Sequence, residues 1–324
     1  MFSWEKLGKI FDPKDSLNQN WMHEFAQSPS VLIFDDYVRV YFCTRLKPSL
    51  DGQYMSFLSY IDLNRKNLLQ IINVCPAPIL ELGKLGTFDE FGTNPISVIR
   101  DGENIRVYFA GWTRCESVPF NGAIGVAISV NKGDTFSRIG TGPVLSYSAD
   151  EPFLLGSPRI RKFGEKWYLW YVSGKEWVLI KNKPEPVYKI RMASSDDGIN
   201  WEKHGLDLIE DKLGEYECQA CPDVIFSEGK FHMFFSYRSI HDYKGKNGGY
   251  RIGYATSEDL YSWYRNDEIA GMSVSETGWD SEMVNYPHVF ILDGETYMLY
   301  QGNEMGRSGI GLARLTNPSN WSVQ

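Results

Sequence analysis

The sequence predicts an all-β chain folded as a five-bladed β-propeller with four-stranded antiparallel blades. Three observations carry this. One hairpin-sized unit recurs five times. Its leading proline returns every 63 to 66 residues, at 29, 95, 158, 222 and 287. A second strand-like motif follows four of the five units. Self-similarity at a fixed period is the signature of a repeat architecture, and about sixty residues with four strands per repeat is the arithmetic of a propeller.

Each unit opens with a proline, continues as an apolar alternating run, turns, and returns as an aromatic-rich run. The first is Ser28-Pro29-Ser30-Val31, a turn at Asp35-Asp36, then Val38 to Phe42. The second is Asn94-Pro95-Ile96, a turn at Asp101-Gly102, then Ile105 to Phe109. The third is Ser157-Pro158-Arg159, a turn at Gly164-Glu165, then Trp167 to Tyr171. The fourth is Cys221-Pro222-Asp223, a turn at Glu228-Gly229, then Phe231 to Phe235. The fifth is Tyr286-Pro287-His288, a turn at Asp293-Gly294, then Thr296 to Tyr300. Alternation bounded by such turn residues reads as a β-hairpin. The prolines are expected at the first position of their strands, where no ladder donor is needed.

Third strands are read at Ile124-Gly125-Val126-Ala127, Ile190-Arg191-Met192-Ala193, Ile252-Gly253-Tyr254-Ala255 and Ile310-Gly311-Leu312-Ala313. Turn residues follow, as in Ser195-Asp196-Asp197-Gly198, and then an aromatic at Phe136, Trp201, Trp263 and Trp321 announces a fourth strand. The first unit matches weakly here, around Met55 to Ser59. Trp4-Glu5-Lys6-Leu7-Gly8 is similar to Trp201-Glu202-Lys203-His204-Gly205, and the chain stops just after Trp321. The N-terminal strand, roughly residues 3–11, is therefore expected to complete the last blade, which removes two sheet edges. Residues 1–324 read as a single domain.

Hydrophobic residues make up 43% and charged residues 23% of the chain, enough for a large core. Lys and Arg number 33 against 41 Asp and Glu, a net charge of −8. A nucleic-acid or membrane-surface binder needs a basic face, so neither partner is expected. No basic stretch leads into an apolar run at the N-terminus, and no apolar stretch approaches a membrane span. Five cysteines form no paired framework. These features predict a cytoplasmic protein; the oligomeric state is not read from them. Cys218 and Cys221 have redox-motif spacing without a helix or second ligand pair, and read as incidental thiols. His23, His204, His232 and His241 lack ligand spacing, so neither a metal nor a cofactor is expected.

In a propeller the first strands line the axis, so the segments before each proline and the loops after each second strand gather at one mouth. Five residues before the proline stand Glu24, Glu90, Glu217 and Glu282, with Asp89, Asp150, Glu151 and Asp280 close by. Converging carboxylates suit glycosidic chemistry, in which one acid protonates the leaving oxygen and a second carboxylate attacks or activates water. Glu24 and Glu217 are the expected pair, with Glu90, Glu282 and Asp89 as supporting candidates. The alternative is that the recurring carboxylates bond backbone amides in every blade. Arg45, Arg114, Lys175, Arg238 and Arg307 follow the second strands, a basic ring suited to an anionic saccharide. Arg159, Asp223, His288, Trp21 and Asn94 complete the candidate substrate-binding set. Arg159, Asp223 and His288 read equally well as a group that satisfies a buried axis.

Trp279-Asp280-Ser281 leading to Tyr286-Pro287, and Ala193 to Trp201, resemble the blade phrases of the five-bladed glycosidase-like superfamily, which includes glycoside hydrolase families 32, 43, 62, 68 and 130. Trp21-Met22-His23-Glu24 is similar to the opening motif of invertase-type enzymes. The resemblance spans nearly the whole chain and implies a carbohydrate substrate. Invertase-like and arabinanase-like members carry Asp before the first-blade proline, where this chain has Ser28, and the arabinanase-like group has Asp–Pro in the second blade, where this chain has Asn94-Pro95. Ser157-Pro158-Arg159 is similar to an acid–proline–arginine stretch of the mannoside phosphorylase-like family, without its acid. Three readings stay open: a glycoside hydrolase-like enzyme, a phosphorylase or glycosyltransferase, and a carbohydrate-binding propeller without catalysis.

Overall fold

The computed structural model describes residues 1–15, 20–50, 52–243, 245 and 247–317; Trp321 lies outside them. The described residues form twenty strands. In chain order they are β1 (Trp4–Phe11), β2 (Glu24–Ile33), β3 (Tyr37–Arg45), β4 (Ser56–Asn64), β5 (Asn67–Val74), β6 (Gly92–Asp101), β7 (Asn104–Arg114), β8 (Phe120–Ser129), β9 (Ser137–Arg138) and β10 (Leu155–Phe163). The rest are β11 (Lys166–Ile180), β12 (Lys183–Ser195), β13 (Glu202–Lys203), β14 (Glu217–Ser227), β15 (Lys230–Ser239), β16 (Arg251–Ser257), β17 (Tyr264–Arg265), β18 (Asn285–Leu292), β19 (Glu295–Gln301) and β20 (Ile310–Leu315).

Three sheets have four strands each, in the orders β10-β11-β12-β13, β14-β15-β16-β17 and β1-β20-β19-β18. An eight-stranded sheet joins β2-β3-β4-β5 to β6-β7-β8-β9 through a single parallel bridge between Ser56 and Gly92. Every other pairing is antiparallel, and apart from β1 with β20 the antiparallel partners are consecutive strands joined as hairpins. The N-terminal strand β1 pairs antiparallel with β20, Trp4 facing Leu315 and Phe11 facing Ile310.

The prolines do not open their strands. Each sits inside one, at a break in the ladder between Gln27 and Ser30, Thr93 and Ile96, Gly156 and Arg159, Ala220 and Asp223, or Asn285 and His288. A bulge leaves a residue outside the ladder, so the missing proline donor is harmless there. The Asn94-Pro95 peptide is cis, and in the other four repeats the residue before the proline has positive φ, at Ser28, Ser157, Cys221 and Tyr286. Non-glycine residues hold positive φ only where the surroundings impose it.

The motif glycines are explained by rings above them. A Cβ on Gly125 would lie 2.5 Å from Phe109 Cζ, one on Gly253 2.6 Å from Phe235 Cζ, and one on Gly311 2.4 Å from Trp279 Cη2. The turns that follow are built by side chains. Asp197 Oδ1 accepts the amides of Ile199 and Asn200, and Asp259 Oδ1 accepts those of Tyr261 and Ser262.

Apolar side chains fill the spaces between neighbouring sheets, as in the cluster of Val40, Phe42, Ile61, Leu299 and Leu312. The proline-bearing strands are stitched by a cycle of hydrogen bonds. Ser30 Oγ accepts the Val98 amide, Ser97 Oγ accepts the Ile160 amide, and Arg159 Nε donates to the Pro222 carbonyl. Asp223 Oδ2 accepts the Val289 amide, and His288 Nε2 accepts the Val31 amide, which returns the cycle to β2. Three candidate substrate-binding residues, Arg159, Asp223 and His288, are thus bonded into this cycle. Asp223 is fully buried, 2.5 Å from Arg161, 3.3 Å from Arg159 and 3.4 Å from His288. Burial pushes its carboxyl up, but Arg159, Arg161 and His288 outweigh this and hold it well below the usual range.

Candidate functional site

A cavity of about 380 Å³ gathers residues from all five proline-bearing strands. Residues of β2, β3, β6, β7, β8, β10, β11, β12, β14 and β18 wall it, with loop residues 52–54, Pro119, Leu154, Tyr250 and Met305. Seven aromatic side chains line it: Phe25, Tyr54, Trp112, Phe120, Tyr188, Tyr250 and Tyr286. Gln27, Arg45, Gln53, Asn94 and Ser157 supply polar side chains, and no Asp or Glu is among the described lining residues. Flat rings with a few convergent polar groups are what a saccharide site offers: apolar faces for the ring carbons, and hydrogen bonds for the hydroxyls.

Two polar atoms in this wall are unsatisfied. Asn94 Oδ1 and Arg45 Nε are shut off from solvent and have no hydrogen-bond partner among the described residues. Arg45 Nη2 donates to Gln27 Oε1 at 2.8 Å, and its guanidinium lies 4.3 Å from the Phe25 ring centroid and 5.2 Å from that of Tyr54. No Asp or Glu is within ion-pair distance of it among the described residues. Burial pulls this guanidinium below the usual arginine range, against the opposing pull of Tyr286, Tyr54, Cys43 and Glu24. A desolvated cation without a counter-ion is costly, and an anionic ligand would supply one.

The rest of the basic ring is dispersed. Arg114 stacks on Phe91 and donates to the Tyr54 carbonyl, and Lys175 pairs with Asp207 at 2.9 Å. Arg238 sits 3.8 Å from the Tyr243 ring centroid and donates to Tyr188 Oη. Tyr188 Oη is in turn 2.5 Å from Tyr250 Oη, so Arg238 reaches the cavity only through the tyrosines of its wall. Arg307 lies 3.3 Å from Glu24 Oε2. Trp21 packs against the core, its indole donating to the Pro76 carbonyl.

The candidate carboxylates do not converge on the cavity. Glu217 is fully buried; its carboxylate takes Arg265 Nη1 at 2.6 Å, the amides of Lys212 and Leu213 at 2.8 Å, and Gln219 Nε2 at 3.1 Å. Asp89 pairs with Arg138 at 2.6 Å, Glu151 with Lys203 at 2.5 Å and Asp280 with Lys6 at 2.6 Å. One rule unites the four. The basic partner is on the outermost strand of the sheet, facing the alanine of the third-strand motif: Arg138 opposite Ala127, Lys203 opposite Ala193, Arg265 opposite Ala255 and Lys6 opposite Ala313. Each such pair ties the segment entering a sheet to its far edge. At Glu151, burial pushes the carboxyl up, but bonds from Lys203, Arg191 and Tyr171 hold it below the usual range. Arg191 fills the place that glycine holds in the other third-strand motifs. Glu90 accepts the Gly86 amide, and at Glu282 the backbone is tied to Asn303 and Arg251.

Glu24 differs. It is 8% exposed, at the start of β2, and Oε1 accepts the Tyr54 hydroxyl at 2.6 Å. Through Tyr54 it is the candidate carboxylate coupled to the cavity wall. Tyr54, Gln27, Phe25 and the tyrosines at 188 and 250 were not among the candidates from the sequence. Their signal there is only a high aromatic content at strand ends. Among the described residues no group of three or more His, Cys, Asp or Glu is placed to hold a metal ion, and no helix is long and apolar enough to cross a membrane.

No family model matches the chain. Two proteins of Mycobacterium tuberculosis, MT1551 and Rv1502, both described as uncharacterized, are each 35% identical to it over 316 residues, covering 97% of this chain and all of theirs. Among solved structures, the BT0996 complex with RGII superposes with a TM-score of 0.72 at 16% identity, over 98% of this chain and 92% of that one. A structure described under the GH130 family of mannoside phosphorylases, containing glycoside hydrolases that target β-1,2 mannosidic linkages in Candida mannan, gives 0.73 at 14% identity over 99% and 97%. The β-1,2-mannobiose phosphorylase of Listeria innocua gives 0.69 at 13% identity over 94% of each chain. At these identities the likeness is one of fold. The chain belongs to the family of the two mycobacterial proteins and carries the fold of the glycosidase-like propellers.

Proposed function

We propose that residues 1–324 form one five-bladed propeller, its last blade completed by β1, and that its axial cavity takes an anionic saccharide on whose glycosidic bond the protein acts. The cycle of hydrogen bonds from β2 through β6, β10, β14 and β18 back to β2 supports the five-fold reading. Five free thiols, four of them buried, support a reducing, cytoplasmic setting. One observation carries the ligand class: Arg45 lines an aromatic cavity with no carboxylate within ion-pair distance among the described residues and an unpartnered Nε. Asn94 Oδ1 supplies an acceptor for a sugar hydroxyl. Glu24 is the acid–base group, and Glu217, Asp89, Glu90 and Glu282 serve the scaffold.

Thermal unfolding in the presence of uronic acids, sugar phosphates, nucleotide sugars and neutral oligosaccharides tests this. A ligand at a hundredfold excess over Kd stabilises by about 2.7 kcal/mol. For a chain of this length that raises Tm by about 4 °C. Acidic saccharides should give the shift, and Arg45→Met should remove it without lowering the Tm of the free protein by more than a few degrees. Shifts from neutral saccharides alone, unchanged in Arg45→Met, would defeat the proposal. Dependence of cleavage on added phosphate or on a nucleotide sugar separates phosphorolysis and transfer from hydrolysis. A second reading, binding without turnover, is favoured by the lack of any carboxylate among the described wall residues; turnover by pure protein that is lost in Glu24→Gln excludes it.

A further inference from the structure

Tyr54 stands in the loop between β3 and β4 and is one of the residues lining the cavity. Its hydroxyl donates to Glu24 Oε1 at 2.6 Å and accepts from Arg307 Nη2 at 3.0 Å. Arg307 Nε is 3.3 Å from Glu24 Oε2, so one guanidinium spans both partners. Phe25 meets the Tyr54 ring edge-on at 5.7 Å and fixes its plane. This is the constellation of an activated nucleophile: an attacking oxygen, a base within hydrogen-bond reach, and a third group that orients the base. Burial raises the Tyr54 hydroxyl above its usual range, and the bond to Glu24 adds to this, while Arg307 opposes both. The phenol therefore stays neutral until its proton moves.

We infer that Tyr54 is a covalent nucleophile toward the anomeric carbon of an anionic saccharide, with Glu24 as its base and Arg307 as the positioning residue. The inference rests on the reading of the cavity as a site of glycosidic chemistry. Tyr54 Oη forms a bond to the anomeric carbon, and its proton passes to Glu24 Oε1. The bond from the anomeric carbon to the leaving oxygen breaks, and its electron pair departs on that oxygen. Water then attacks the anomeric carbon of the glycosyl-tyrosine, the tyrosine oxygen leaves with the proton returned by Glu24, and the proton of the water goes to solvent. A neutral phenol suits an anionic sugar better than a carboxylate does, because it approaches without like-charge repulsion.

The same wall defines the donor. With no Asp or Glu among the described residues lining the cavity to protonate the departing oxygen, the donors are those whose leaving oxygen is stable as an anion, such as a phenolate or a phosphate ester. Arg45, 5.2 Å from the Tyr54 ring centroid and without an acidic partner among the described residues, stands beside the charge released.

The test uses the full-length protein and two sets of dinitrophenyl glycosides, of gluco, galacto and manno configuration with their uronic acids. One set is native. The other carries fluorine in place of the hydroxyl next to the anomeric carbon, which slows breakdown of a covalent intermediate. The native uronides should be turned over. The fluorinated ones should add one glycosyl mass per chain, mapped by peptide mass spectrometry to Tyr54. Tyr54→Phe should lose the adduct and about a thousandfold or more in kcat with its Tm retained. Glu24→Gln should slow adduct formation about a hundredfold. An adduct on any other residue, turnover without an adduct, or full turnover by Tyr54→Phe would overturn the inference. A protein that binds uronic acids through Arg45 yet neither turns over nor is labelled also overturns it, and leaves the cavity as an anionic-saccharide site. Loss of binding itself would fall on the proposed function instead.

Discussion

Replacing Glu217 by glutamine should weaken the fold and leave the cavity untouched. The carboxylate is fully buried and meets four donors: Arg265 Nη1, the Lys212 and Leu213 amides and Gln219 Nε2. A glutamine oxygen can keep the two backbone amides at 2.8 Å. Its amide nitrogen must then face Arg265 and Gln219, so donors oppose donors and a buried guanidinium loses half of its charge partnership; Asp267 at 2.9 Å remains. Breaking one side of a buried charged pair in this way costs about 2 to 4 kcal/mol. For a chain of this length that is a fall in Tm of about 3 to 6 °C. Scanning calorimetry reads the loss, and ligand-induced shifts read the cavity, which should respond to acidic saccharides as in the parent. A Glu217→Gln protein with parental Tm that has lost ligand response or turnover would refute the assignment of this carboxylate to the scaffold.

Two further outcomes follow from the axis and the third-strand motif. Burial lowers the His288 imidazole to about 4, against the opposing pull of Asp223, while the unfolded side chain titrates near 6.5. The unfolded state therefore binds the proton first as pH falls, so stability is full above about 6.5 and declines toward pH 4, by about 3 kcal/mol from this group alone. Denaturant midpoints at neutral and mildly acidic pH should show a shallower decline in His288→Gln; an unchanged slope would move the effect to other groups. Gly253→Ala would place its Cβ 2.6 Å from Phe235 Cζ and 2.7 Å from Asp267 Oδ1. Overpacking of this kind costs about 1 to 3 kcal/mol, read as a lower urea midpoint at constant slope.

The strand pattern was legible in the sequence because it is written in local chemistry. Hairpin turns such as Asp101-Gly102 and alternating runs such as Val38 to Phe42 act over a few residues, and the structure has strands at each of the five places. The prolines misled only in position, since a bulge hides a missing donor as well as a strand end does, and a bulge has no composition of its own. The carboxylates were harder. A Glu held by the scaffold and the Glu proposed for chemistry have the same residue type at the same repeat position. What separates them is the partner, which lies on the outermost strand: 49 residues beyond Asp89 at Arg138, and 48 beyond Glu217 at Arg265. A basic residue facing the motif alanine was a signal available from the sequence once the fourth strands were aligned.

Glu24 lacks that partner, and the reason is visible in the first repeat. Its last strand, β5, offers Asn67 to Val74 with no basic residue, so nothing there ties a carboxylate at the entrance to β2. The buried anion is left to groups at the mouth, Tyr54 and Arg307, which belong to different parts of the chain and converge only when β18, β19 and β2 lie side by side. The repeat thus makes the site by its exception. Where four repeats spend a carboxylate on tying their entry to their outer edge, the first leaves Glu24 to Tyr54, and the same break that weakened its match to the motif around Met55 to Ser59 supplies the loop that carries Tyr54. Chemistry in this fold is therefore expected at the blade that fits the repeat least well, and the Tyr54→Phe and Glu217→Gln proteins, compared side by side for labelling and for Tm, separate the two uses of one repeat position.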